Sequence, residues 1–438
     1  MAIDTESTGS SRFNFVDRDL IRACVHCGMC LSSCPTYKLL GSELDSPRGR
    51  IYQMRQLQDR AITVDDPSFQ LHIDRCLNCR ACETACPSGV QYGRLLEATR
   101  AVIPPKSESE HLLKEAVMNR VFTSPALLDA LGIGTRFYQK SGLQAAARAT
   151  GLLGRLPMNL GNLEGLLPRM QGGVVKARLP ELIPARGAAR YRVALLTGCV
   201  QEQFFSLTNA ATARVLAING CEVVVPRGQA CCGALHSHGG QRETARALAR
   251  RNIAMFERTG ADYYIVNAAG CGSTLKEYHH LLADDPRWVE RAHRFTEHVR
   301  DISEFLASIE LSQELGAIRR RVTYQDACHL AHGQKISTQP RELLQMIPGL
   351  ELVEMNEADT CCGSAGIYNV TQFELSMRLL ARKMDNVAAT NADMIVAGNP
   401  GCLIQVAHGV QQRGLRMEAV HLVDLLDRSY RAGAEGLA

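Results

Sequence analysis

The chain has 438 residues, 46% hydrophobic and 21% charged, the balance of a soluble globular protein with two to four domains. A formal net charge of +4 and 5% aromatics argue against a nucleic-acid partner, which would call for a strong basic field and stacking platforms. Seventeen cysteines follow a polar opening, Met1 to Asn14, that lacks an apolar signal core, and no run of roughly 18 uncharged apolar residues offers a transmembrane helix. This points to a cytoplasmic, reducing setting and to metal ligation rather than disulfides.

The first element is the run Cys24-Val-His-Cys27-Gly-Met-Cys30-Leu-Ser-Ser-Cys34-Pro35, spaced C-x2-C-x2-C-x3-C-P. It recurs as Cys76-Leu-Asn-Cys79-Arg-Ala-Cys82-Glu-Thr-Ala-Cys86-Pro87. Each iron of a cubane cluster needs one thiolate, and two-residue gaps let a tight loop wrap three sulfurs round one cluster. The fourth cysteine of such a run reaches the other cluster. The pattern therefore assigns Cys24, Cys27, Cys30 and Cys86 to one [4Fe–4S] cluster, and Cys76, Cys79, Cys82 and Cys34 to a second. Pro35 and Pro87 fix φ and turn the chain just after each run. A zinc site would use two separated pairs, and a disulfide scaffold would suit a small secreted chain.

Between the runs, Ser46 reads as the N-cap and Pro47 as the first residue of a helix whose Ile51, Met54 and Leu57 keep a helical period. That helix would bridge the two cysteine loops. Asp45, Arg48 and Arg50 at its start would touch a cluster or a partner, or simply belong to a capped surface helix. His26 would hydrogen-bond a sulfur or lie on the loop surface.

From Pro104 to Arg190 the helix-like stretches Leu112 to Val121 and Pro125 to Leu131 give way to Gly-, Leu- and Arg-rich sequence. Between Gly132 and Arg192 ten Lys and Arg stand against Glu164 and Glu181, a local charge of +8. Such sequence suits contact with a partner subunit, a solvated connector, or an anionic membrane surface.

At Tyr191 an α/β pattern begins. A strand over Arg192 to Thr197 leads to Gly198-Cys199, a helix over about Leu207 to Ile218 to Gly220, and a strand over Glu222 to Val225 to Cys231-Cys232-Gly233. A helix from about Gln241 to Arg258 and a strand over Tyr263 to Val266 end at Gly270-Cys271. The pattern returns with Val322 to Tyr324 and Cys328, Leu350 to Val353, Cys361-Cys362-Gly363, a helix over about Gln372 to Ala388, Met394 to Val396, and Gly401-Cys402. Cys199 to Gly220 and Cys328 to Gly349 both span 21 positions, and Ala261-Asp262 and Ala392-Asp393 each begin ten residues before the last cysteine. Such self-similarity marks one duplicated unit with a mainly parallel sheet, its cysteines in loops after strands where open α/β sheets collect their sites.

The two runs use eight cysteines and the repeats four each: Cys199, Cys231, Cys232 and Cys271, then Cys328, Cys361, Cys362 and Cys402. Cys221 is left over at a position where the second copy has Leu350, which suggests packing. Vicinal cysteines diverge and suit a polynuclear cluster or a redox-active thiol site better than one tetrahedral ion; a further iron–sulfur cluster or zinc stays open. Four histidines, His236, His238, His329 and His332, lie near these cysteines and read as hydrogen-bonding groups. Gly132-Ile-Gly134 and Gly270-Cys-Gly272 lack the strand–GxGxxG–helix context, so no flavin is expected in this chain and no catalytic residue is assigned. The fold class is α+β and multidomain. A helical dicluster ferredoxin-like domain covers 1–103 and a helical, basic linker 104–190. A duplicated α/β cysteine-rich (CCG) domain follows over 191–310 and 318–438.

Several stretches carry a family resemblance: Ile21-Arg-Ala-Cys-Val-His-Cys-Gly-Met-Cys30, Pro35-Thr-Tyr37, Asp45-Ser-Pro-Arg-Gly-Arg-Ile-Tyr52, Cys86-Pro-Ser-Gly-Val90, Asn209-Ala-Ala-Thr-Ala-Arg-Val-Leu216 and Cys361-Cys-Gly-Ser-Ala-Gly366. From about residue 20 onward the chain resembles the iron–sulfur subunit of glycolate oxidase (glycolate dehydrogenase), least well across Pro104 to Arg190. The resemblance implies FAD-containing partner subunits that oxidise glycolate to glyoxylate. This chain would then pass electrons to a membrane acceptor of quinone type, from a peripheral position on the cytoplasmic face of the inner membrane. The repeats are also similar to those of heterodisulfide reductase, where such a repeat holds a non-cubane [4Fe–4S] cluster and the last cysteine opens a C-x-x-C. Here Thr274 and Gln405 stand at the second position. Alternatives are the equivalent subunit for lactate or glycerol 3-phosphate, and a thiol/disulfide reductase working at Cys231-Cys232 or Cys361-Cys362.

Overall fold

The computed structural model describes residues 15–108, 112, 115–151, 160–168, 170, 178–312 and 314–436. Before Leu182 the described residues contain helices and turns but no strand. Ser46 Oγ accepts from Gly49 N at 2.9 Å, and Pro47 opens the helix Pro47–Gln58, because the ring pre-sets φ and spends no needed donor. Asp66 caps Pro67–Asp74 in the same way, through Phe69 N at 2.9 Å. The stripe Ile51, Met54, Leu57 packs on Phe69, Ile73, Leu95 and Leu96, joining both helices to Tyr92–Val102 in one small core.

The second half holds two sheets. Strands β1 (Leu182–Ile183), β2 (Tyr191–Leu196), β3 (Cys221–Val224), β4 (Tyr263–Val266) and β5 (Val299–Asp301) lie in the order β1-β3-β2-β4-β5, antiparallel only at β1. Strands β6 (Arg320–Gln325), β7 (Leu350–Leu352), β8 (Met394–Ala397) and β9 (Glu418–His421) lie in the order β7-β6-β8-β9, all parallel. The order β3-β2-β4-β5 is thus repeated. The register is repeated too: Arg192 N donates to Asp262 Oδ2 at 2.8 Å and Arg321 N to Asp393 Oδ2 at 3.0 Å, one latch in each copy of the Ala-Asp pair.

The copies face each other about an approximate two-fold. Helix Ser206–Ile218, which follows the first strand of the first repeat, packs on Leu422–Gly436, which follows the last strand of the second; Ile302–Ala307 and Gln339–Gln345 make the reciprocal contact. Val193, Leu195 and Ile265 of one sheet share a core with Val322, Tyr324 and Val396 of the other. Cys221 is wholly buried in this core, where burial pushes its thiol up to about 12.

Three expectations are corrected. Each repeat has a fourth strand, β5 or β9, and the first has the edge strand β1; Arg300, Asp301 and Glu418 break the apolar run in β5 and β9, and β1 is only two residues long. The helix from Pro125 does not stop at Leu131 but runs to Lys140. Gly132 is a close-approach position there, not a terminator: an added Cβ would lie 2.5 Å from Gln203 Oε1, and buried Arg136 donates to Gln203 O at 2.6 Å. Cys271 and Cys402 stand in the first turns of helices Ala269–Lys276 and Pro400–Gln412 rather than in loops, although both follow strand ends as expected.

Of the stretch Leu112 to Val121, residues 115–121 form a π-type helix and part of the remainder lies outside the described residues, as does much of the basic segment after Gly151. Where that segment is described, its cations bind this chain: Arg148 pairs with Glu164 at 3.0 Å and Arg178 with Asp129 at 2.7 Å. No helix among the described residues is long and apolar enough to cross a membrane.

Candidate functional site

The two cysteine runs interleave around two neighbouring cavities. One is lined by Cys24, Cys27, Cys30 and Cys86, the other by Cys34, Cys76 and Cys79, and Cys82 borders both. Pro47 also lines both, so the start of the predicted helix stands between the loops. Neither lining contains a carboxylate. Five soft thiols in the first and four in the second, with arginines and no carboxylate, fit a thiolate-bound iron–sulfur group rather than Mg²⁺ or Ca²⁺.

Arg48 lines the first cavity and Arg50 the second. Neither belongs to a plain surface helix. Arg50 and Asp45 are both fully buried and paired at 3.2 Å, and Arg50 Nε also donates to His72 O at 2.6 Å. Arg48 donates to His26 O at 3.2 Å and pairs with Glu43 at 2.7 Å. His26 lines the first cavity at φ 56°. Tyr92 Oη donates to Cys76 Sγ at 3.5 Å. Burial pushes the thiols of Cys24, Cys30 and Cys82 up, so a bound cation or a nearby guanidinium is what would hold them ionised here.

In the repeats each set of four cysteines gathers at the C-terminal ends of the parallel strands. Cys199 Sγ lies 3.6 Å from Cys231 Sγ, and contacts continue through Cys232 to Cys271. The order Cys328, Cys361, Cys362, Cys402 is the counterpart. The two sites differ in their polar neighbours. Val200 follows Cys199, whereas His329 follows Cys328 with Nδ1 3.5 Å from its sulfur. Ten residues before Asp262 stands Asn252, bound to Cys231 O at 3.0 Å; ten before Asp393 stands Lys383, 2% exposed, donating to Ala358 O at 3.2 Å. In the second repeat a hydrogen bond from Cys361, with His329 beside it, pulls the Cys328 thiol down, and bonds from Cys361 and Cys402, helped by Lys383, do the same for Cys362, while the same contacts push the Cys361 and Cys402 thiols up. In the first, the Cys231 contact and burial push Cys199 up.

The second cavity abuts the second repeat. Leu77 and Cys79 pack in one cluster with Cys328, Cys361 and Tyr368, and Tyr368 Oη donates to Arg75 O at 3.0 Å. Burial and the Cys328 sulfur both push the Cys79 thiol up. Lys38 pairs with Glu357 at 3.2 Å and Lys335 donates to Thr84 Oγ1 at 3.0 Å across the same seam. The four histidines are all hydrogen-bonded or beside a sulfur: His236 to Met118 O at 2.8 Å, His238 to Glu97 at 2.7 Å, His332 to Thr84 at 3.1 Å, and His329 to Cys328 as above. Gly132-Ile-Gly134 lies within a helix and Gly270-Cys-Gly272 in a helix's first turn.

Residues that the sequence reading passed over include Arg80, Glu97, Asn252 and Lys383. Lys383 left a signal: it interrupts the buried stripe Leu379, Leu380, Met384, Val387 of helix Phe373–Ala389. Arg80 left none, because its carboxylate partner Glu277 is almost two hundred positions away.

Known families match along the chain. A 4Fe-4S dicluster domain covers residues 21–90, the linker region of the glycolate oxidase iron-sulfur subunit 109–167, and a cysteine-rich domain both 193–276 and 322–407. The probable glycolate oxidase iron-sulfur subunit of Bacillus subtilis is 43% identical over 419 residues, 94% of each chain. The glycolate oxidase iron-sulfur subunit of Escherichia coli is 36% identical over 402 residues, 89% of this chain and 90% of its own. Lactate utilization protein A of Shouchella clausii is 29% identical over 236 residues, 54% of this chain and 98% of its own.

Proposed function

This chain belongs to the glycolate oxidase iron–sulfur subunit family, and from that premise we propose that it carries electrons within a glycolate-oxidising complex. Glycolate gives up two electrons and two protons on FAD-containing partner subunits and becomes glyoxylate. The electrons cross this chain to a quinone-type acceptor in the membrane, with the complex held peripherally on the cytoplasmic face through its partners. The observation that carries the reading is the interleaving of the two cysteine runs around adjacent cavities that lack carboxylates.

In this reading Cys24, Cys27, Cys30 and Cys86 hold one [4Fe–4S] cluster, and Cys34, Cys76, Cys79 and Cys82 the other, within a helical ferredoxin-like unit over 1–103. Bound there, each cluster supplies a one-electron carrier. The protein's own residues do the positioning. Pro47 and Cys82 keep the cavities adjacent, and buried Arg50 offsets thiolate charge where water does not. The linker over 104–190 joins this unit to the repeats over 191–310 and 318–438. Leu77 and Cys79 pack on Cys328 and Cys361, so the route continues into the second repeat. There the His329 ring and the buried Lys383 amine give the four sulfurs polar neighbours that a further cluster could use. The first repeat has neither group and serves as a thiol or zinc site off the route.

Iron and acid-labile sulfide per chain, with EPR on the anaerobically purified complex, test this. Cys79→Ser should remove one cluster; full iron and undiminished acceptor reduction in that variant would end the ligand assignment. A panel of glycolate, lactate and glycerol 3-phosphate tests the substrate. Glycolate is favoured because the two glycolate oxidase relatives align over nearly the whole chain, while the lactate relative aligns over 54% of it.

A further inference from the structure

The two cysteine loops are built alike but covered differently. In each, the residue before the second cysteine has a left-handed backbone, His26 at φ 56° and Asn78 at φ 53°. So does the residue after it, Gly28 at φ 86° and Arg80 at φ 63°. The same turn therefore puts Val25 in the place of Leu77, Cys27 in that of Cys79 and Met29 in that of Ala81. Leu77 and Ala81 are 5% and 6% exposed, because with Cys79 they pack on Cys328, Cys361 and Tyr368 of the second repeat. Val25 and Met29 are 67% and 60% exposed, and among the described residues Cys27 is the one exposed cysteine.

The open loop is also fitted for contact. Tyr52, half exposed on helix Pro47–Gln58, stands edge-on to the His26 ring with centroids 6.3 Å apart and widens the apolar face. Arg48 holds the loop from behind: it donates to His26 O at 3.2 Å and pairs with Glu43, and an added Cβ at Gly28 would lie 2.5 Å from its Nη1. A loop fixed in this way loses little freedom when a partner arrives. Exposed apolar groups with a polar rim mark an interaction site.

We propose that this edge, formed by Val25, Cys27, Met29 and Tyr52, is where electrons enter the chain and where the flavin-bearing partner subunit docks. The proposal rests on the electron-transfer reading above and adds the order of the sites to it. The internal copy identifies the kind of occupant. The second loop meets a sulfur site of this chain through Leu77 and Ala81, and the first presents the equivalent surface outward, to a redox group on another chain. A flavin held within its own protein cannot reach a buried sulfur, and tunnelling falls steeply with distance, so the two proteins need a seam with a ligand at the surface. Cys328, Cys361, Cys362 and Cys402 are all buried and offer no such seam. Glycolate leaves two electrons and two protons on the partner. The electrons cross at Cys27 one at a time, pass Cys82, which borders both cavities, and go on to the second repeat. The two protons return to water from the partner.

The test uses the intact complex, purified anaerobically. Val25→Glu and Tyr52→Glu each put an unpaired carboxylate into the seam. Each should lower the flavin retained per iron after dilution and gel filtration, and slow reduction of the iron centres by glycolate, by at least about tenfold. Iron per chain and reduction by dithionite, which needs no partner, should stay at the wild-type level. Leu131→Glu, on the exposed apolar face of helix Pro125–Lys140, is the rival surface and should change neither reading. Full flavin retention and undiminished reduction in both edge variants would overturn the proposal. So would the same losses in Leu131→Glu alone, which would seat the partner on that helix. Slower reoxidation of dithionite-reduced centres by menadione, with glycolate-driven reduction intact, would make the edge an exit and overturn it too. If Val25→Glu loses iron, Tyr52→Glu, outside the cysteine loop, decides alone. The underlying reading fails separately: in that case glycolate leaves the iron centres of the wild-type complex oxidised by EPR, whatever the edge binds.

Discussion

Arg50 is the buried cation on which the second cysteine cavity depends, and removing it should have a large, measurable effect. Its side chain and that of Asp45 are 0% exposed. The guanidinium donates to Asp45 Oδ1 at 3.2 Å, Asp45 O at 2.5 Å, Thr36 Oγ1 at 3.1 Å and His72 O at 2.6 Å. Arg50→Met keeps much of the volume and deletes all four bonds. Breaking a buried pair by removing one partner costs about 3–5 kcal/mol. Asp45 keeps His72 Nδ1 at 3.0 Å and Arg75 Nη1 at 3.2 Å, which puts its own loss at the low end. Asp45 O keeps the Thr36 hydroxyl at 2.9 Å, so only the stranded His72 carbonyl adds about 1 kcal/mol, for a total of about 4 kcal/mol. In a unit of 60–100 residues, each kcal/mol moves the midpoint by about 4–8 °C, so the N-terminal transition should fall by at least about 15 °C. The assay is anaerobic melting followed both by far-UV circular dichroism and by the visible absorption of the iron centres, with iron counted before heating. Arg50→Lys keeps the charge with fewer donors and should lose about half as much. A melting curve for Arg50→Met within about 3 °C of wild type, with full iron, would refute the argument that this ion pair holds the cavity.

Three further outcomes follow from particular contacts. Burial raises the Asp301 carboxyl to about 6, while its unfolded value is about 3.9, so the fold favours the protonated form. Its contribution is full below about pH 4 and is lost as the pH rises through about 6, a span of about 2–3 kcal/mol. Asp301→Asn keeps an acceptor for Ser303 N, which lies 2.9 Å from Asp301 Oδ1, and should flatten the pH dependence of chemical denaturation between about pH 4 and 6.5; a profile parallel to wild type would count against it. Gly240 has φ +80°, and an added Cβ would lie 2.4 Å from Arg100 O, so Gly240→Ala should cost more than about 2 kcal/mol. Faster hydrogen exchange over 92–102 would report the loosened seat of that helix on the first repeat, and unchanged exchange would contradict it. Cys361→Ser should abolish any EPR signal beyond the two cubane clusters while Cys231→Ser leaves it intact; the reverse pattern would move the route to the first repeat.

Much of the site was legible along the chain because the chemistry is local. A thiolate cluster needs sulfurs at fixed short spacings, and Cys24 to Cys34 and Cys76 to Cys86 write that spacing out. Ser46-Pro47 announces its helix because capping depends on neighbours three residues away. The duplication is equally plain, since the Ala-Asp latch and the double cysteines recur in register. The short strands β1, β5 and β9 were not legible. Charged residues interrupt β5 and β9 and β1 has two residues, so none offers an apolar run, and they exist because a neighbouring strand offers them backbone partners.

By itself, then, the sequence determined the cysteine spacings, the duplication of the second half, and the family. Only the tertiary structure decided which repeat meets the second cysteine cavity, and that Lys383 and His329 sit on that side while Asn252 and Val200 occupy the other. It also brought Arg80 to Glu277 and Glu97 to His238, and so seated the Cys76–Cys82 loop and the helix after it on the first repeat. The reason is range: coordination and capping act across a few residues of chain, whereas charge and packing act through space. Which of two like sites faces a buried neighbour depends on how separate units dock, and no spacing in the sequence records it.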